Sequence, residues 1–172
     1  MIKVTDHVYA ETKYTGANVG CVVTEQGLVL IESPMLPEDA LDWREELRKV
    51  SDKEIAYLIS TDHHFDHVFG NAFLTKRTIA HRIAYRGFQF VQDNREQQFM
   101  QFFPDVYTER RETLDQVEIV LPQITFSREM TLNMGDRTLV LNYVGGHSPA
   151  TIMIYVPQDK VLFAGHPFSR FS

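Results

Sequence analysis

Short apolar runs alternate with turn residues along most of the chain. Val19 to Thr24 and Leu28 to Glu32 are two such runs, and Glu25-Gln26-Gly27 between them predicts a β-hairpin. Met1 to Ala10 alternates weakly and is consistent with an earlier strand. Pro34-Met35-Leu36-Pro37 breaks the sheet. Glu38 to Val50 then has helical spacing, with Ala40, Leu41, Leu47 and Val50 on the apolar side and Trp43 at its edge. Ile55 to Ser60 and Thr78 to Ala80 read as short strands, and Gly70 to Leu74 as the start of a short helix. After Pro122 the pattern returns to β. Glu129 to Asn133 and Thr138 to Val144 flank a Gly135-Asp136 turn, and Thr151 to Val156 and Val161 to Ala164 flank the Pro157 to Lys160 turn. The hairpins at 21–31 and 152–163 resemble each other faintly, which suggests two related sheets.

Arg82 to Leu114 is the least strand-like stretch and reads as helical with a break at Pro104. It carries Tyr85, Phe88, Phe90, Phe99, Phe102, Phe103 and Tyr107. Two readings stand: the rings pack these helices onto the sheet, or they roof a site and favour an apolar substrate.

Composition narrows the function. At 172 residues, 44% hydrophobic and 23% charged, the chain has the size and balance of a single globular domain, 1–172. A net charge of −6 without a basic patch argues against a nucleic-acid partner. The lone Cys21 excludes an intramolecular disulfide and a thiolate zinc site, and its valine neighbours place it in a buried strand. No apolar run approaches the ~18 residues of a membrane span, and the N-terminus has no signal-peptide core, so the expected compartment is cytoplasmic.

The densest chemistry is Thr61-Asp62-His63-His64-Phe65-Asp66-His67, at the end of an apolar strand. Packing so many ionisable groups together is costly unless a charge holds them, and a metal ion is the usual one. Gly145-Gly146-His147-Ser148 and Gly165-His166-Pro167 also deliver a histidine just past a strand, beside glycines. A lone histidine there would be structural; three strand ends doing so favour one convergent site.

These three segments resemble the metallo-β-lactamase superfamily, whose pattern is His-x-His-x-Asp-His, then Gly-His-[Ser/Thr], then Leu-Phe-x-Gly-Asp. The resemblance spans about residues 2–168. It implies an α+β fold, the αββα sandwich, and a metal-dependent hydrolase acting on a small-molecule ester, lactone, thioester or amide. It also implies metal ligands at Asp62, His64, Asp66, His67, His147 and His166, with Asp66 the catalytic group that manages the proton of water. His63 is expected to face away, and His7 and His81 have no role.

The chain departs from the pattern at Asp62, where the family has its first histidine, and at His166, where it has a bridging aspartate. A neutral imidazole has one lone pair and cannot bridge two ions. The expectation is one ion, zinc before iron or manganese, with Asp62 and His166 close together on it. The chain also stops short of the family's last segment. That reads as a missing C-terminal part of the fold, or as a homo-oligomer covering the second sheet. Two alternatives to hydrolysis are a member that keeps the fold but has lost catalysis, and a mononuclear-iron thiol oxidoreductase.

Overall fold

The computed structural model describes residues 1–102, 104–115 and 117–165. Seven strands form the first sheet in sequence order: β1 (Ile2–Lys3), β2 (Val8–Glu11), β3 (Val19–Thr24), β4 (Gly27–Ile31), β5 (Ile55–Ile59), β6 (Thr78–His81) and β7 (Ile124–Phe126). β1 to β4 are antiparallel, and β4 to β7 run parallel. The second sheet is antiparallel, with β8 (Glu129–Asn133), β9 (Thr138–Tyr143), β10 (Ile152–Val156) and β11 (Val161–Phe163) in the order β11-β10-β9-β8. The two similar hairpins, β3–β4 and β10–β11, therefore lie in different sheets.

Strand alternation creates the layer between the sheets. Val8, Val22, Val29, Ile31, Ile59 and Ile79 meet Leu139, Leu141, Ile152, Ile154 and Val156 in one buried cluster. The side chains that alternate outward on the second sheet include Tyr155 and the exposed Leu162.

Helices cover the other face of the first sheet. Helix α1 (Pro37–Arg48) starts with proline at its first turn and buries Ala40, Trp43 and Leu47 against Cys21, Leu30 and Leu58. The burial of Cys21 agrees with its strand context. Trp43 is fully buried rather than at the edge of the apolar stripe, and Leu41 is 49% exposed. Ala40, Trp43 and Leu47 fall at i, i+3 and i+7, so Leu41 is turned away from the sheet.

Short helices α2 (Phe65–Val68) and α3 (Asn71–Leu74) follow β5, and α4 (Ala84–Asp93), α5 (Arg95–Phe102) and α6 (Pro104–Leu114) follow β6. α5 and α6 flank residue 103, so the break expected at Pro104 falls where the described residues leave a gap; the described kink is at Arg110, inside α6, with φ −122° and ψ 15°. Phe65, Phe69, Phe88, Phe99 and Tyr107 share a third buried cluster. Phe90 and Phe102 stay out of it, at 57% and 58% exposure. Phe103 lies outside the described residues. The aromatic stretch thus divides into core rings and surface rings. No described helix is long and apolar enough to cross a membrane.

Candidate metal centre

Parallel strands end together, so the chain segments leaving β4 and β5 emerge at one sheet edge. The β5 exit carries Thr61 to His67. The β4 exit carries Glu32, whose amide donates to the Ile59 carbonyl at 3.0 Å. From the second sheet, the loop after β9 supplies His147. Gly145 and Gly146 have φ of +63° and +105°, backbone that a β-branched or bulky residue would resist, and they turn this loop toward the β5 exit. The Ile152 amide then ties β10 to the Thr61 carbonyl at 3.0 Å.

Asp62 is the hub. It is fully buried, yet both carboxylate oxygens are engaged. Oδ1 accepts from the amides of His63 at 2.6 Å and His64 at 3.1 Å, and lies 2.9 Å from His64 Nδ1. Oδ2 accepts from the hydroxyls of Ser148 at 2.7 Å and Thr151 at 2.9 Å. Burial works to raise its pKa. The hydrogen bonds from His64 and Ser148 and the charges of His64 and His67 outweigh it, and the carboxyl stays well below the usual carboxylate range. His64 moves the opposite way, raised by its bond to Asp62 against the effect of burial.

Ligand atoms of Asp62, His64 and His147 converge within 4.8 Å of one another. The His64 and His147 rings meet edge to face at 5.0 Å. Two imidazoles and a carboxylate that stays anionic are a donor set suited to zinc, iron or manganese, so these residues fit a divalent ion. Asp62 already has its acceptor sites filled. To ligate directly, it must give up a donor, and the half-exposed His64 ring is the most easily moved.

Asp66 lines the same cleft as His64 and His147, a space of about 630 Å³. His67 is buried. Its Nδ1 lies 3.2 Å from Glu32 Oε1 and its Nε2 3.8 Å from Asp66 Oδ2. Desolvation lowers its pKa, but the charge and hydrogen bond of Glu32, with Asp66 and Asp62 beyond, raise it to about 9. His67 faces a separate cavity of about 250 Å³ lined also by Glu32, Thr61 and Phe163. His166 lies outside the described residues, and with it the expected pairing of Asp62 and His166 on one ion.

His63 does not face away from the cluster as expected, and its side chain is mostly buried beside His64. Its Nδ1 is 3.6 Å from Asp62, too far for a hydrogen bond, and its ring is stacked obliquely on His64 at 4.8 Å. Burial lowers its pKa despite the nearby Asp62. The ring lies over Gly87 of α4, where an added Cβ would come within 2.7 Å of His63 Cβ. Gly87→Ala is therefore expected to destabilise the protein by about 1–2 kcal/mol in chemical denaturation, although alanine is the better helix former. His81 is buried, with Nε2 3.0 Å from the Ser127 carbonyl and its ring stacked on Tyr143 at 4.2 Å, which makes it a packing residue.

Sequence reasoning missed Glu32, and gave Ser148 and Thr151 no role. Glu32 has φ of +61°, a conformation that costs a non-glycine residue about 1 kcal/mol, and it is buried. Oε1 accepts from the amide of Thr61 at 2.8 Å and from its hydroxyl. Oε2 is buried with no hydrogen-bond partner among the described residues. The available signal was an acidic residue directly after a fully apolar strand.

Residues 13–169 match the family model of the metallo-β-lactamase superfamily. The chain belongs to that superfamily. Its members are, in general, metal-dependent hydrolases. No curated protein sequence matches. Among solved structures, BJP-1, a subclass B3 metallo-β-lactamase of Bradyrhizobium japonicum, is 19% identical with a TM-score of 0.65 over 90% of this chain and 55% of its own. DIM-1 metallo-β-lactamase is 20% identical at TM-score 0.69, covering 99% of this chain and 71% of that one. The sec-alkyl sulfatase PisA1, as a double mutant, is 18% identical at TM-score 0.68, covering 92% and 29%. At such identities the likeness speaks to the fold, in agreement with the α+β sandwich expected from the sequence. The chain spans about half the length of BJP-1 and less than a third of PisA1.

Proposed function

We propose that this protein is a metal-dependent hydrolase of a small carbonyl substrate, using one divalent ion, zinc, held by His64 and His147 with Asp62. The observation that carries this reading is the convergence of those three donors, with His64 and His147 lining one cleft together with Asp66, and Asp62 buried behind them. An ion held there would lower the pKa of water toward neutrality and polarise a substrate oxygen.

The chain's own residues supply the rest. Asp66 would orient the attacking water and take its proton, a role supported by its position in the lining of the cleft with both histidines. Asp62 ties the His147 loop down through Ser148 and Thr151. Glu32 fixes His67 behind Asp66.

The test is hydrolysis of a panel of esters, lactones, thioesters and β-lactams by protein loaded with zinc, iron or manganese. Chelator-sensitive turnover that is lost in Asp66→Asn supports the reading. The absence of turnover with every metal contradicts it. Binding can be read separately as thermal stability. An ion at 100 times its dissociation constant is expected to add about 2.7 kcal/mol to the unfolding free energy, and His64→Ala should remove that increment.

A further inference from the structure

The cleft above the donor set has a chemical character of its own. Its aromatic wall is Phe65, Phe90 and Phe102. Phe65 is buried and stacks on Phe102, with ring centroids 5.7 Å apart and planes at 27°. Phe90 and Phe102 are more than half exposed, an arrangement that burial of a ligand would relieve. The remaining wall is made of carboxamides: Asn94, Gln97, Gln98 and Gln101. Asn94, Gln97, Gln98 and Gln101 follow the i, i+3, i+4, i+7 spacing of one helical face. A carboxamide offers a donor and an acceptor but no charge.

Among the described lining residues none is lysine or arginine, and Asp66 adds a negative charge at the floor. Away from His64 and His147 at the floor, an anionic group on a substrate's acyl chain would find no lysine or arginine among the described lining residues. It would lose hydration without a partner.

We infer that the cleft selects neutral acyl substrates, with an aromatic or branched apolar acyl group seated between Phe65, Phe90 and Phe102, and discriminates against substrates with an anionic acyl chain. This rests on the hydrolase reading for turnover, but the selection itself is a property of the walls and can be measured without turnover.

The experiment has two arms. In the first, zinc-loaded protein hydrolyses 4-nitrophenyl phenylacetate and the mono-4-nitrophenyl ester of glutaric acid. The neutral ester is expected to be favoured at least about tenfold in kcat/KM. Phe90→Ala with Phe102→Ala should cost the neutral ester about tenfold, and Gln101→Lys should raise kcat/KM for the anionic ester about tenfold. These three positions are exposed, so the variants keep the core. In the second arm, chelator-treated protein is titrated by ligand-observed NMR with 4-carbamoylphenylacetamide (the amide) and with 4-carboxyphenylacetamide (the acid), which have the same shape and differ in charge at the end away from the acyl carbonyl. The amide is expected to bind at least about tenfold more tightly, and the double phenylalanine variant to lose that binding. Equal binding of acid and amide, or binding unchanged in the double variant, overturns the inference whatever the enzyme hydrolyses. Selective binding of the amide without hydrolysis of either ester sustains it and overturns the hydrolase reading instead.

Discussion

Replacing Asp62 with alanine is expected to lower the unfolding free energy by about 3 kcal/mol and to abolish metal retention. The carboxylate is buried and takes hydrogen bonds from two backbone amides, two hydroxyls and one imidazole. Alanine leaves all of these donors without their acceptor in a place that water reaches poorly. Each unsatisfied buried group costs about 1–3 kcal/mol before relaxation, and breaking a buried charge pair costs about 3–5 kcal/mol. The half-exposed His64 ring recovers part of this by turning to solvent, which brings the total toward the lower figure. Asp62→Asn keeps the shape and one acceptor, so a loss of about 1–2 kcal/mol is expected. The pH dependence has a definite sign. A carboxyl whose folded pKa is depressed adds stability above its unfolded value, ordinarily 3.8, and that stability is lost as the pH falls below it. Urea denaturation of the parent from pH 6 down to pH 2 should therefore show a decline that is smaller in Asp62→Asn. An unchanged midpoint for Asp62→Ala contradicts this account of the hub.

Glu32→Gln should have the second large effect, on His67. The folded-state pKa of His67 is raised from 6.5 to about 9, chiefly by Glu32 working against burial. A raised histidine pKa contributes stability that is complete below the unfolded value. It is lost as the pH rises through the folded one. For chelator-treated protein that loss amounts to about 3 kcal/mol between pH 6.5 and pH 9. The carboxamide introduced by Glu32→Gln keeps an acceptor for Thr61 but removes the charge. His67 should then titrate well below 9 by NMR, and most of the alkaline loss of stability should disappear. A His67 titration midpoint that stays near 9 in Glu32→Gln would show that Asp66 and Asp62, not Glu32, hold the proton.

The sequence made the site legible where its residues are contiguous. Asp62 to His67 and Gly146 to Ser148 sit in short runs just past apolar strands, and the structure brings His64, His147 and Asp62 together. The hairpins were equally legible, because each depends on local pattern and turn chemistry. Glu32 was not. Its role follows from β4 and β5 being parallel neighbours, a pairing between residues distant in sequence. Thr151 was missed for a similar reason, since its partner, Asp62, lies 89 residues away. Trp43 shows the limit of helical phasing by eye: one residue's rotation decides between an edge and a fully buried indole. The aromatic stretch from Tyr85 to Tyr107 mixes both roles, and composition does not separate Phe99 in the core from Phe90 and Phe102 at the cleft.

The central claim is that this sheet edge holds one divalent ion on His64, His147 and Asp62. Elemental analysis after equilibration with zinc and dialysis tests it most directly. The account predicts close to one zinc per chain in the parent protein and none in the His64→Ala, His147→Ala double variant that still folds by circular dichroism. A parent without bound metal, or a double variant that keeps the parent's metal content, contradicts it.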